Sequence, residues 1–178
     1  MKSIKRLTAL VTLFVFMLST FAFTVNADSA FTDVTSDTQY ADAIQKLYTD
    51  GIVDGYVAED GTRTFKPLDT ITRGEFVTSL AKFCGVDESY RYYAETGYRD
   101  IASGSELAPY VKWARDAGLM DGSNGAFHPD DYLTREQMAT VVARYLTALG
   151  RAPGGAAQTA YKDQSRISAW ALDGVALC

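Results

Sequence analysis

An arginine occurs at the same point of the same motif in two segments of the sequence, residues 65–76 and 127–138. Both segments read Phe-x-Pro-x-Asp-x-(Ile/Leu)-Thr-Arg-x-(Glu/Gln)-(Phe/Met), and an apolar pattern with helical spacing follows each of them. Arg73 and Arg135 therefore take the first position of two expected helices, where free backbone N–H groups and the helix dipole favour an anion. A guanidinium group at that point can bind a carboxylate through paired hydrogen bonds.

The residues around each arginine are a start signal for a helix. Thr72 and Glu75 have the spacing of a capping box, in which each side chain bonds the backbone N–H of the other residue, and Thr134 and Gln137 repeat that spacing. The cap residue alone contributes about 1 kcal/mol to the stability of its helix. Capping does not explain the arginines, since a cation beside the positive end of a helix dipole is mildly unfavourable. A departure from a local rule that occurs twice marks a functional candidate.

Three aromatic-x-Asp signatures divide the chain into repeats. They contain Asp33, Asp100 and Asp163, and apolar residues at helical spacing follow each one. The sequence therefore predicts an all-α fold of tandem helix–loop–helix units, with helices near residues 40–50, 72–83, 106–117, 134–149 and 168–177. The third unit has no Thr-Arg motif before the sequence stops at Cys178. We therefore expect this chain to be less stable, or more prone to self-associate through its incomplete third repeat, than a chain with three full repeats.

The remaining segments are a leader and two linkers. Residues 1–27 combine a positive start, an apolar stretch and a final Val-Asn-Ala, which is typical of a cleaved secretory signal peptide; an uncleaved membrane anchor is the alternative. After cleavage no other stretch is apolar enough to span a bilayer. We assign residues 28–86 to the first repeat, 87–97 to a linker, 98–149 to the second repeat, 150–160 to a second linker and 161–178 to the truncated third repeat.

The net charge of the chain limits the classes of partner that it can bind. The leader carries three of the 17 Lys and Arg residues and none of the 22 Asp and Glu residues, so the exported part has 14 cations against 22 anions and a net charge of −8. An acidic surface of this kind argues against general nucleic-acid binding. It suits an exported protein.

Residues that could catalyse a reaction or hold a metal are few. His128 is the single histidine, and without cysteines or carboxylates at ligand spacing it predicts neither a metal site nor a Ser-His-Asp set. The acidic stretch at residues 50–61 lacks the spacing of a calcium loop, since Ile52 falls at its third position. Cys84 and Cys178 predict free thiols, with a disulfide between them as the alternative. We expect no enzymatic activity, no metal and no cofactor.

The combination of motifs resembles the S-layer homology family. The aromatic-x-Asp signature, helices that end in Gly-(Ile/Leu)-x-x-Gly, the Phe-x-Pro turn and the string Thr-Arg-Glu-Gln-Met-Ala at residues 134–139 carry the resemblance, which covers nearly the whole chain after residue 27. It implies a pseudo-threefold helical spindle that holds an exported protein non-covalently to cell-wall polysaccharide, often one that bears pyruvate ketals. It also implies a secreted protein of the cell wall and cell surface (S-layer). The sequence departs from the family in its incomplete third repeat and at Gly74, where the family often has alanine.

The same resemblance points to four polysaccharide-binding residues, Arg73, Arg135, Asp33 and Asp100. In this interpretation the arginines bind a carboxylate, and the aspartates orient the arginines or accept hydrogen bonds from sugar hydroxyls. Two alternatives stay open. Each arginine would pair with an acidic residue of the neighbouring repeat and only hold the repeats together, or the whole module would bind another protein instead of polysaccharide.

Overall fold

The computed structural model describes residues 29–86, 95–151 and 161–178. The predicted signal peptide and most of the two predicted linkers lie outside these ranges. Phe31–Cys178 forms one compact unit, and all the contacts discussed below belong to it. Met1–Ala30 forms a second unit, of which only residues 29 and 30 are described.

In the described ranges five α-helices form where the apolar spacing predicts them. They are α1 (Ala41–Thr49), α2 (Arg73–Phe83), α3 (Ala108–Asp116), α4 (Arg135–Ala148) and α5 (Leu172–Leu177). Two 3₁₀ helices, Gln164–Arg166 and Ala169–Ala171, precede α5, so the last predicted helix begins as a 3₁₀ turn. The described part of the chain is thus helical with little strand, as predicted. In these ranges no helix combines the length and the apolar character that crossing a bilayer requires.

The loop between α1 and α2 contains a small hairpin that the sequence does not predict. β1 (Tyr56–Val57) pairs antiparallel with β2 (Arg63–Thr64), with Tyr56 opposite Thr64. Strands of two residues are too short to show an alternating pattern of apolar and polar residues, which is why the sequence indicates only a loop. The hairpin positions the Tyr56 side chain beside α2, where it contacts Glu75.

Both helices that carry the motif start as the sequence predicts. The Thr72 hydroxyl oxygen accepts a hydrogen bond from the Glu75 N–H (3.2 Å), and the Glu75 carboxylate accepts one from the Thr72 N–H (2.9 Å). Thr134 and Gln137 form the same box before α4, at 3.2 and 3.1 Å. The two boxes fix both motif arginines at the first residue of their helices.

The first helix of each complete repeat ends at a glycine in the left-handed conformation. Gly51 has a φ of 71° and Gly118 a φ of 65°. In both cases the next N–H, that of Ile52 or Leu119, bonds a carbonyl oxygen five residues earlier at 2.8 Å, which is the Schellman ending. The chain therefore turns back along the helix and enters the Asp-Gly turn that follows.

The two complete repeats share one hydrophobic core. Val77 of α2 packs into the same cluster as Val111 of α3 and Val141 of α4. Burial of each such aliphatic side chain contributes about 1.5–3 kcal/mol. The other buried members of the cluster are Ile101, Ala108, Ala114, Leu119, Met120 and Phe127. Side chains of both repeats therefore form the contact between them.

Candidate functional site

The aspartate of the first aromatic-x-Asp signature holds the loop that leads into α2. Asp33 accepts hydrogen bonds from the backbone N–H groups of Phe65 (2.8 Å) and Lys66 (2.7 Å), one on each carboxylate oxygen. Lys66 has a φ of 59°, and this left-handed conformation turns the two successive N–H groups to one side. Partial burial raises the pKa of Asp33, but the two N–H donors outweigh it, and the pKa lies below its ordinary value of 3.8.

Asp100 does the same in the second repeat. Its two carboxylate oxygens accept hydrogen bonds from the N–H groups of Phe127 (2.8 Å) and His128 (2.7 Å), and His128 also has a φ of 59°. Desolvation raises the pKa of Asp100, and the same N–H donors again bring it below 3.8. Both predicted aspartates thus lie beneath the loops, where each carboxylate oxygen already accepts a hydrogen bond from the chain.

Backbone hydrogen bonds join the start of α2 to the loop of the second repeat. The N–H groups of Arg73 and Gly74 donate to the carbonyl oxygens of Asp131 (2.9 Å) and Pro129 (2.8 Å). The neighbouring repeat therefore satisfies the N–H groups that a helix start leaves free. Gly74 is buried at this junction, and a β-carbon there would lie 3.1 Å from the carbonyl oxygen of Pro129. Close approach of the two backbones gives a structural reason for glycine at this position.

The Arg73 side chain extends the same junction. Its Nε donates to the carbonyl oxygen of Phe127 (3.0 Å), and its Nη2 donates to that of Asp121 (2.8 Å). The guanidinium carbon lies 4.8 Å from the centre of the Phe127 ring. Burial lowers the pKa of Arg73 from its ordinary value. Phe127 is thus held on both sides, its N–H by Asp100 and its carbonyl by Arg73, so the arginine bridges the repeats through carbonyl oxygens.

Arg135 occupies the corresponding position with a different environment. Its side chain is exposed, and it makes no hydrogen bond or ion pair within residues 29–86, 95–151 and 161–178. The backbone N–H groups of Arg135 and Glu136 also have no acceptor in those ranges. The Glu136 carboxylate instead binds the third repeat, accepting bonds from the N–H and the hydroxyl of Ser168, both at 2.9 Å. The structure therefore does not bring the two predicted arginines into one site.

A groove of about 840 Å³, the first groove, lies between α2 and the start of α3. In its wall the Lys82 ammonium lies 2.6 Å from a carboxylate oxygen of Asp54. The Tyr56 hydroxyl donates to the Glu75 carboxylate at 2.6 Å, and this bond raises the pKa of Tyr56 to about 12. The Lys66 ammonium lies 4.4 Å from the centre of the Tyr56 ring. The first groove thus combines an aromatic ring with charged groups that are already paired.

A second groove of about 440 Å³ borders α4 and the 3₁₀ helix of the third repeat. Arg73 reaches it from the first repeat, and Trp170, whose surface is 58% exposed, enters it from the third. Asp121, Gln137 and Arg144 also line it. The Arg144 guanidinium lies 3.6 Å from the Asp121 carboxylate, which is too long for a good hydrogen bond.

The two grooves correspond position by position along the sequence. Lys82 and Arg144 each lie nine residues after the arginine of their motif, and Asp54 and Asp121 each precede the glycine of an Asp-Gly turn. Our sequence analysis missed these four residues and the groove position of Trp170. Lys82 and Arg144 lie at the same distance from their motif arginines, and this equal spacing was the signal that could have identified these two residues.

The cysteines and the acidic side chains form no further site in the described ranges. Cys84 and Cys178 are free thiols there. Within the same ranges no group of His, Cys, Asp and Glu is arranged to hold a metal ion.

Comparison with known proteins identifies the family. The model of the S-layer homology domain matches residues 30–77 and 97–139, one segment in the region of each complete repeat. The chain belongs to the S-layer homology domain family. The resemblance carried by the motifs is thereby confirmed, and with it the cell surface as the location of the chain.

Its relatives are much longer proteins. The chain is 40% identical over 85 residues to Cell surface glycoprotein 1 of Acetivibrio thermocellus, a match that covers 47% of this chain and 4% of that protein. It is 32% identical over 149 residues to an endoglucanase of a Bacillus species, covering 82% and 15%. It is 33% identical over 93 residues to the Cellulosome-anchoring protein of A. thermocellus, covering 51% and 21%. The chain therefore spans between 4% and 21% of the length of these three relatives.

Proposed function

We propose that this chain is a non-catalytic module that anchors an exported protein to cell-wall polysaccharide without a covalent bond. Membership of the S-layer homology domain family supports an anchoring role, as does the similarity to a relative named Cellulosome-anchoring protein. The observation that carries the proposal is the pair of corresponding grooves. A polymer offers the same unit many times, so two weak sites on one chain bind it more tightly than either site alone.

The chemistry of the grooves suits a sugar. Their volumes lie in the range of small-ligand sites, which combine apolar surface with a few placed polar groups. Each contains an aromatic side chain, Tyr56 in the first and Trp170 in the second. Such a ring offers an apolar face to the C–H groups of a sugar ring and a polar edge beside it. The amide of Gln137 and the charged groups of the walls are available to the hydroxyls.

We further propose that the polymer carries carboxylates, such as pyruvate ketals, and that the motif arginines bind them. Arg135 offers an exposed guanidinium beside two N–H groups that have no acceptor in the described part of the chain, at the start of a capped helix. Together these groups favour a carboxylate. Arg73 lines the second groove while two of its nitrogen atoms hold the neighbouring repeat. Asp100 contributes indirectly, because its oxygen atoms hold the loop that Arg73 contacts. Asp33 holds the corresponding loop of the first repeat.

A pull-down with purified sacculi tests the proposed function. The chain, as secreted by its expression host, is incubated with sacculi before and after acid extraction of the polysaccharide, and the bound fraction is measured. We expect binding to intact sacculi and its loss after extraction. Equal binding to extracted sacculi would reject polysaccharide as the ligand.

A single substitution tests the proposed carboxylate contact. Arg135→Lys keeps the charge but removes the planar fork, so we expect binding to intact sacculi to fall at least tenfold, about 1.4 kcal/mol, with the melting temperature unchanged. Arg166→Lys is the matched control, because Arg166 is also exposed but is not the first residue of a capped helix. Undiminished binding by folded Arg135→Lys would remove Arg135 from the site.

The alternative function is binding to another protein. The Leu68 side chain favours it, since 96% of its surface is exposed on the loop of the first repeat. In that case the acid-extracted sacculi and the intact sacculi would retain equally little chain. The chain would then bind a protein from the same cell surface in place of the polymer.

We also propose that the repeats wind into a pseudo-threefold spindle with the boundaries given above. The bonds from the start of α2 to the loop of the second repeat support it, because they join one unit to the next. The start of α4 has no such loop against it within the described ranges. We propose that this surface and the third repeat permit self-association.

A further inference from the structure

The two grooves differ in charge although their positions correspond. Corresponding residues are Lys82 and Arg144, and Glu75 and Gln137, so the second groove has a neutral amide where the first has a carboxylate. Arg73 has no counterpart in the first groove. These differences lie in the walls of the cavities, where a charge acts on a bound group at short range and with little screening.

In the first groove the cations are already compensated. The Lys82 ammonium donates a hydrogen bond to the Asp54 carboxylate at 2.6 Å, and only 24% of the Lys82 side chain is exposed. Lys66 is the only other cation of the described lining, whereas the lining holds four more carboxylates. These are Asp69, Glu75, Glu106 and Asp130. A bound anion would therefore meet a surplus of negative charge.

In the second groove the balance is reversed. The Arg144 guanidinium donates to the carbonyl oxygen of Leu119 at 3.1 Å and lies 3.6 Å from the Asp121 carboxylate, and 46% of its side chain is exposed. The Arg73 side chain donates its hydrogen bonds to carbonyl oxygens, and the carboxylates that attract its charge, those of Asp131 and Asp100, are not in the described lining of this groove. Asp121 is the single carboxylate among the described residues that line this groove. A bound anion would meet two guanidinium groups and one acid.

We infer that the two grooves select different units of the polymer: the anionic sugar binds in the second groove, beside Arg144 and Trp170, and the first groove accepts only uncharged sugars. This inference rests on the proposed function. It adds that a polymer with alternating charged and uncharged sugars binds in one register, because the two sites accept different sugars. The exposed Trp170 ring supports the sugar while the guanidinium groups bind its carboxylate.

A matched pair of substitutions tests the inference. Arg144→Gln and Lys82→Gln each remove one positive charge at corresponding positions. The probes are intact sacculi and sacculi whose carboxylates have been converted to neutral amides with carbodiimide and ammonia, with acid-extracted sacculi as background. The wild-type chain should prefer the intact sacculi at least tenfold. Arg144→Gln should remove most of that preference, leaving the part that depends on Arg135. Arg144→Lys should restore most of what is lost, and Lys82→Gln should retain the preference whatever its effect on overall affinity.

The possible failures can be told apart. If the wild-type chain binds neither form of sacculus above background, the proposed function is refuted, and the inference with it. If the wild-type chain binds both forms equally, or if Lys82→Gln loses the preference as completely as Arg144→Gln, the anchoring function stands and the inference is refuted. Melting curves by circular dichroism identify any variant that has not folded. If Arg144→Gln does not fold, the preference of the wild-type chain and its persistence in Lys82→Gln decide the inference.

Discussion

The two motif arginines hold the same position of one sequence motif but lie in different structural surroundings. Arg73 and Arg135 are both the first residue of a capped helix, so Arg→Lys changes helix propensity equally at the two positions. Arg73 is half-buried, bonds two carbonyl oxygens at 3.0 and 2.8 Å and lies over the Phe127 ring. Arg135 is exposed and makes no such contact within the described ranges. We therefore expect very different losses of stability.

The magnitude follows from the contacts. A hydrogen bond that involves a charged group contributes about 1.5–3 kcal/mol, and a cation over an aromatic ring about 0.5–1 kcal/mol. A lysine at position 73 keeps at most one of the two bonds and has no planar group to stack on Phe127. Arg73→Lys should therefore cost about 2–3 kcal/mol, which for a domain of this size lowers the melting temperature by roughly 5–10 °C. Arg135→Lys should change stability by less than about 0.5 kcal/mol.

Thermal unfolding followed by circular dichroism, with both variants at the same protein concentration and pH, measures the difference. Chemical denaturation provides a second estimate of the free energy of unfolding. Equal melting temperatures for the two variants would refute the reasoning, because they would mean that the Arg73 contacts with the second repeat contribute nothing to stability.

Three further predictions concern the fold. Gly122→Ala should cost about 2–3 kcal/mol, since a β-carbon there would overlap the carbonyl oxygen of Ala126; an unchanged melting temperature would contradict this packing. The pKa values of Asp33 and Asp100 lie below 3.8 in the folded chain, so their contribution to stability is present above pH 3.8 and is lost as the pH falls through the lower folded values. The double Asp→Asn variant should be less stable at pH 7 and show a flatter loss of stability below pH 4; an unaltered acid titration would exclude the two carboxylates as its cause. Appending a copy of residues 116–149 after Cys178 should raise the melting temperature and lower light scattering, and an equally stable, monomeric parent chain would count against the proposed self-association.

The local features of this fold could be predicted from the sequence because their causes are local. Thr72 and Glu75 form a capping box with each other across three positions. The left-handed Gly51 ends its helix and lets the next N–H, that of Ile52, bond a carbonyl oxygen five residues earlier. These signals act over one turn of helix and do not depend on the rest of the chain. The five helices accordingly form within a few residues of the predicted bounds.

The site could be predicted only in part, because its causes are long-range. Arg73 and Arg135 hold the same position of the motif, and nothing in the motif indicates that one bonds carbonyl oxygens 48 and 54 residues away. The grooves depend in the same way on how α3 and the third repeat pack against the helices before them. Trp170 illustrates the point, since its place in the second groove follows from the bonds between Ser168 and Glu136.

The central claim is that the chain binds cell-wall polysaccharide itself. Competition measures this most directly: the chain is bound to intact sacculi, and polysaccharide released from the same sacculi is added as a free competitor, with peptidoglycan fragments at equal mass as the control. We expect the free polysaccharide to release the chain in a concentration-dependent manner and the peptidoglycan fragments to release none. Retention of the chain at saturating free polysaccharide would contradict it.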